Sequence, residues 1–198
     1  MAVRRTLLSG LLSLTLPVLL SCGESTDLDL DSSFRVTGTI RNNTQTNVPA
    51  DARLVVAWVV TSGPDYTYVF GEGEVHAAGG TFELVMREPP PAPALNGGAL
   101  GVGVIVATTD LSVSIGDDLK EVPQEDIVGA AGSYGVIYVS DHAAATAAWP
   151  WVADFEPGYA VGIGEAVPGS FDHFAPISAS DVVLVIDHPD NIEFVNWS

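Results

Sequence analysis

The stretch Leu54-Val55-Val56-Ala57-Trp58-Val59-Val60 decides the fold. It is an unbroken apolar run rich in valine, too short for a buried helix and well suited to extended backbone. A strand that is apolar on both faces must be covered on both sides. The residues around it supply the covering pattern. From Phe34 to Arg41 the chain alternates: Phe34, Val36, Gly38 and Ile40 share one face, and Arg35, Thr37, Thr39 and Arg41 share the other. That is a half-buried strand. Asn42 to Asp51 reads as the connection between the two. Gly63-Pro64-Asp65 and Ala78-Gly79-Gly80 are turn signals. Between them Tyr66, Tyr68 and Phe70 alternate with Thr67 and Val69. After them Phe82, Leu84 and Met86 alternate with Thr81 and Glu83.

Pro89-Pro90-Pro91-Ala92-Pro93 is a stiff segment unable to join a ladder, placed to carry the chain from one sheet to another. Further strands are predicted at Leu100 to Ala107, Tyr134 to Ser140, Tyr159 to Ala166, Val182 to Asp187 and Ile192 to Trp197. In the first of these Gly101 and Gly103 fall on one face, which predicts close approach of another backbone. About nine short strands with turn signals between them imply an all-β fold, an antiparallel β-sandwich occupying residues 34–198. Val36-Thr37-Gly38-Thr39-Ile40 followed by Val48-Pro49-Ala50-Asp51-Ala52-Arg53-Leu54-Val55-Val56 resembles the opening of prealbumin-like and carboxypeptidase-regulatory-like sandwich modules. The resemblance implies a sandwich and carries no catalytic residues.

Composition narrows the function classes. The chain has 198 residues, 7 basic against 25 acidic side chains and a net charge of −18. So few cations cannot form the basic surface that a phosphate backbone requires, so nucleic acid is not an expected partner. At 47% hydrophobic and 16% charged it is not a disordered acidic tail either.

The first residues form a targeting device. Arg4 and Arg5 precede an apolar run from Leu7 to Leu20, which as a helix would span about 21 Å, short of the roughly 30 Å of bilayer hydrocarbon. This predicts a signal peptide over residues 1–21. Arg4-Arg5-Thr6-Leu7-Leu8 has some likeness to a twin-arginine signal, but the leucine-rich core favours the general secretory route. The run ends Leu19-Leu20-Ser21-Cys22, which resembles the lipobox of bacterial lipoproteins. The resemblance implies diacylglyceryl transfer to the Cys22 thiol, cleavage before Cys22 and acylation of the new amine. The membrane is then a partner through the acyl chains. Gly23 rather than Asp after the cysteine implies the outer membrane. Cys22 is the single cysteine, so no disulfide is available. Gly23 to Ser33 is small, polar and acidic and completes a lipidated tether over 22–33. Its Asp27, Asp29 and Asp31 imitate the opening of a calcium loop, but Ser32 and Gly38 stand where that loop needs Gly and Glu. Like charge predicts a monomer.

Candidate chemistry lies in the second half. Ala131-Gly132-Ser133-Tyr134-Gly135 has the outline of a hydrolase nucleophile elbow, but a strand follows Ser133 where the elbow needs a helix, so Ser133 reads as a strand-entry turn. Asp141-His142, Asp172-His173 and Asp187-His188 pair an aspartate with a histidine. If His142, His173 and His188 converged on one point they would form a metal site for a metal-assisted hydrolase, the enzymatic alternative. Thr108 to Gly132 is a long acidic connection with Asp110, Asp117, Asp118, Glu121, Glu125 and Asp126; several of these carboxylates could hold calcium, but a solvated loop with one helical turn near Pro123 is the expectation. Ala143 to Ala148 favours a short helix. Trp149-Pro150-Trp151 with Asp154 is raw material for a carbohydrate-binding face, or else an anchor pinning the loop to the sandwich. Two of the loops Thr108–Gly132, Asp141–Pro157 and Val167–Asp181 are expected to pack together. The leading reading is a membrane-anchored envelope lipoprotein with a non-enzymatic structural or binding sandwich, no cofactor, and a carbohydrate or protein as the ligand if there is one.

Overall fold

The computed structural model describes residues 33–62, 65–71, 74–75, 80–109, 123–164 and 173–188. Eleven strands follow in order: β1 Phe34–Asn42, β2 Arg53–Ser62, β3 Asp65–Gly71, β4 Glu74–Val75, β5 Thr81–Met86, β6 Leu100–Thr108, β7 Ile127–Ala130, β8 Tyr134–Val139, β9 Gly158–Ile163, β10 Ala175–Ile177 and β11 Val182–Ile186. One helix, α1 His142–Ala148, lies between β8 and β9 and runs into a 3-10 turn at Pro150–Asp154. The all-β expectation is met.

Hydrogen bonding joins the strands into one mixed sheet that folds over itself. A back layer runs β3-β2-β6-β8-β9-β10, and a front layer runs β11-β1-β5-β4. β7 is the seam, paired with the end of β6 on one side and with β11 on the other. Every pairing is antiparallel except β1 with β11, which is parallel, Gly38 opposite Val182 through Asn42 opposite Ile186. Three strands exceed the sequence expectation: β4, β7 and β10, with two, four and three residues. β7 sits inside the predicted long connection, directly after the helical turn Gln124–Asp126.

The two-sided run does what its composition requires. Leu54, Val56 and Trp58 of β2 face the front layer and share a core with Val36, Phe82, Leu84, Met86, Val182, Leu184 and Ile186. Val55, Ala57 and Val59 point the other way, into a second core closed by Ala145, Val152, Phe155 and Phe174. The polyproline segment links β5 of the front layer to β6 of the back layer. The close backbone approach predicted at Gly101 and Gly103 is corrected. A β-carbon at Gly103 would stand 2.5 Å from Val56 Cγ1 and 2.8 Å from Trp58 Cε3, and one at Gly101 would stand 3.0 Å from Pro90 Cγ. The glycines make room for an indole, not for another backbone. Backbone approach does occur at Gly38, where a β-carbon would collide with the Val182 carbonyl oxygen.

Candidate functional site

Asp141-His142 stands at the N-terminus of α1. The Asp141 carboxylate accepts a hydrogen bond from the Ala144 N–H at 3.0 Å, so it caps the helix and does not orient the imidazole. Asp187 likewise accepts from the His188 N–H at 2.7 Å and from Asn43 Nδ2 at 2.8 Å. Asp172 lies outside the described residues. His142 follows Val139, which pairs with Leu100 at the start of β6. His188 follows β11, beside β7, which pairs with Thr108 at the end of β6. Leu100 and Thr108 are the two ends of the nine-residue β6, eight steps or about 26 Å apart. His173 adjoins β10, whose Ala175 pairs with Ile163 opposite Tyr134, the end of β8 remote from His142. The convergence that a metal site needs is therefore not formed. Among the described residues no three His, Cys, Asp or Glu are grouped to hold a metal ion.

The tryptophan segment is brought together with a second loop. Trp151 packs edge-on against Phe155, centroids 5.6 Å apart, and lies 5.5 Å from the ring of Phe174. Phe174 belongs to the Val167–Asp181 interval, so two of the three loops expected to meet do so. Trp149 and Trp151 are both half-buried against the outer core, and the Trp151 indole nitrogen is wholly enclosed. Trp149 faces Gly97, where a β-carbon would come within 3.7 Å of the ring. Asp154 is exposed. Both rings pack against the outer core, the arrangement an anchor requires, and neither stands clear of it. The two phenylalanines packed with Trp151 sit on glycine: a β-carbon at Gly135 would stand 2.7 Å from Phe174, and one at Gly162 2.8 Å from Phe174 and 3.1 Å from Phe155.

Ser133 is exposed in the turn that Ala131 and Tyr134 close, with β8 after it, as its context predicts. Cys22, residues 1–32, Asp110 to Glu121 and Ile192 to Trp197 lie outside the described residues.

Sequence reasoning missed one cluster. Tyr159 stacks on Phe34 with centroids 5.4 Å apart, lies 4.7 Å from Tyr138 and 6.2 Å from Trp58. Its hydroxyl donates to the Glu88 carbonyl at 2.6 Å. Burial, with Tyr138 and Glu88 beside it, pushes the phenol above its ordinary range. The group ties β1, β8 and β9 to the β5–β6 connection. Period-two spacing put Phe34, Tyr138 and Tyr159 on strands, but only the register Tyr138 opposite Tyr159 brings them together. A phenol locked as a donor to a backbone oxygen and held protonated is a structural tie and a poor proton acceptor.

No family model, curated protein or solved structure matches this chain.

Proposed function

We propose that this chain is an exported, lipid-anchored protein of the cell envelope whose β-sandwich serves as a non-enzymatic structural or binding module. The observation that carries the reading is the ordered series Arg4-Arg5, the apolar run Leu7 to Leu20, Leu19-Leu20-Ser21-Cys22 and an acidic spacer ending where β1 begins. Each part has a physical role: a positive start, a segment too short to span, a small residue at the cleavage point, a thiol to acylate and a solvated tether. At full extension the eleven residues from Gly23 to Ser33 reach about 40 Å. The body supports the reading in two ways. Its strands close on two apolar cores, and with one cysteine in the chain no intrachain disulfide contributes to them. Loss of Arg4 and Arg5 with the signal would leave a strongly anionic body that headgroups repel, so attachment rests on the acyl chains. Gly23 after Cys22 supports the outer membrane as destination.

The test is incorporation of labelled palmitate. The parent chain should take up label and lose residues 1–21. Cys22→Ser should take up none and persist as the larger precursor, because no other side chain offers a thiol. Labelled Cys22→Ser protein would sink the proposal.

A further inference from the structure

The sheet has three edges among the described residues, and they are unequal. β4 ends the front layer with two residues, and β10 ends the back layer with three, one of them Pro176. Short length and proline are the usual protections of an exposed edge. β3, at the other end of the back layer, has neither. It pairs with β2 alone, over seven consecutive residues from Asp65 to Gly71 without a register shift. Those residues include one formal charge, Asp65, in a chain of net charge −18, and no proline or lysine.

The backbone groups on that edge can be identified. The Val59 carbonyl accepts a hydrogen bond from Asn96 Nδ2 at 3.2 Å, on the β6 side of β2. It therefore points away from β3, and Val59 opposite Tyr68 is a non-hydrogen-bonded pair. The N–H and C=O of Tyr68 then point away from β2, to the edge left open among the described residues, and by alternation so do those of Tyr66 and Phe70.

We propose that this edge pairs with the same edge of a second copy of the chain, antiparallel, about a two-fold axis through Tyr68. The partner such an edge fits is extended and uncharged, with alternate donors and acceptors over three positions, and β3 itself meets that description. The two-fold places Tyr66 opposite Phe70 of the second copy and Tyr68 opposite its own equivalent, so every outward N–H meets a C=O. Asp65 falls opposite Gly71, so no like charges face each other across the ladder. A cationic partner would find one carboxylate here, at the turn. The monomer expected from net charge reflects long-range repulsion, which salt screens. Pairing should therefore strengthen as salt rises.

The test uses the full chain in two measurements. In light scattering with rising concentration, the protein mass should approach twice that of one chain, sooner at high salt than at low. Tyr68→Pro removes only an edge donor, not a bond to β2, and should hold the mass at one chain. In a Cys22→Ser background, Tyr68→Cys should give a disulfide-linked dimer on mild oxidation, because a hydrogen-bonded pair brings the two Cα atoms to about 5.5 Å. Phe70→Cys, displaced from its equivalent by four residues of strand, should not. The proposal fails if the mass stays at one chain at every salt concentration, if a dimer survives Tyr68→Pro, or if Phe70→Cys cross-links as well as Tyr68→Cys. Should Tyr68→Pro not fold, the cysteine pair decides alone.

Discussion

The back layer seats aromatic rings on glycine on both of its faces, by two different routes. On the inner face the ring is Trp58, fully buried, laid across Gly101 and Gly103 of the adjacent strand. It is delivered by the β2–β6 register itself, Trp58 opposite Gly103. On the outer face the rings are Phe155 and Phe174, over Gly135, Gly162 and Gly164. Neither comes from a neighbouring strand of the layer: Phe155 arrives on the turn after α1, and Phe174 directly precedes β10. The inner seat is filled as soon as the strands pair. The outer seat is filled only when loops dock. The inner face is therefore the one to perturb for strand pairing, and the outer face the one to perturb for loop docking.

The largest effect should come from the inner seat. Trp58→Ala should cost about 3–5 kcal/mol in urea unfolding. Gly103→Ala alone should cost about 1–3 kcal/mol through overpacking. In the double variant the second penalty should shrink, since the indole that the new methyl would strike has gone. Strict additivity would show that Trp58 and Gly103 do not share the space as described.

Phe174→Ala removes a ring that is equally buried, and its cost should approach that of Trp58→Ala, again about 3–5 kcal/mol. The difference should lie in where the molecule opens. Hydrogen exchange should rise in β9, β10 and the segment from α1 to Phe155, while β2 and β6 remain protected. Trp151→Ala, half-buried, should cost about 2–3 kcal/mol, at or below the lower end for such truncations. A Trp151→Ala protein of parental stability would remove the anchor reading of that residue.

The same contrast governs what the sequence disclosed. β1, β2 and β6 were legible because their apolar spacing is long and regular, and the helix near Ala143 because of its alanines. β7 is four residues in an acidic stretch, and β10 is three residues around a proline, so neither has enough length for a period to register. The parallel pairing of β1 with β11 leaves no mark in either strand, because hydropathy spacing reports which face is buried and not which neighbour lies alongside. The glycine face of β6 was visible, but its occupant was not: absence of a side chain looks the same whether backbone or an indole fills the space. The Asp-His pairs illustrate the converse. Adjacency in sequence was plain, yet the level of each pair along the sandwich depends on β6 and β11 register, which places His142 and His188 at opposite ends.

A smaller effect tests how dry the inner seat is at its rim. Tyr159 is held protonated by burial and by its negative or titratable neighbours, and its hydroxyl donates to Glu88. Below a pH of about 10 the phenol is protonated in folded and unfolded chains alike, and its full contribution is present. Above that, the unfolded chain loses the proton first, so stability falls as pH rises toward the folded value. Tyr159→Phe should flatten that alkaline fall while lowering stability at neutral pH by about 1 kcal/mol for the lost hydrogen bond. An unchanged alkaline slope would assign it to other groups.

The smallest expected effect lies on the outer route and has the opposite sign. His173 has φ of 127°, the one positive φ outside glycine among the described residues, and it is exposed. A β-carbon makes that region unfavourable by about 1–3 kcal/mol. The conformation persists because Phe174, the next residue, is fixed in its glycine seat and β10 follows at once. Glycine at 173 would relieve the strain while adding freedom to the unfolded chain, worth about 0.4–1 kcal/mol in the other direction. The balance should leave His173→Gly more stable by about 0.5–1 kcal/mol, a rise of about 1–4 °C in Tm for a body of this size. His188→Gly, at an ordinary backbone conformation, should gain nothing. If His173→Gly is instead destabilised, the imidazole makes a contribution that outweighs the strain, and the outer face would hold its rings through His173 as well as through glycine.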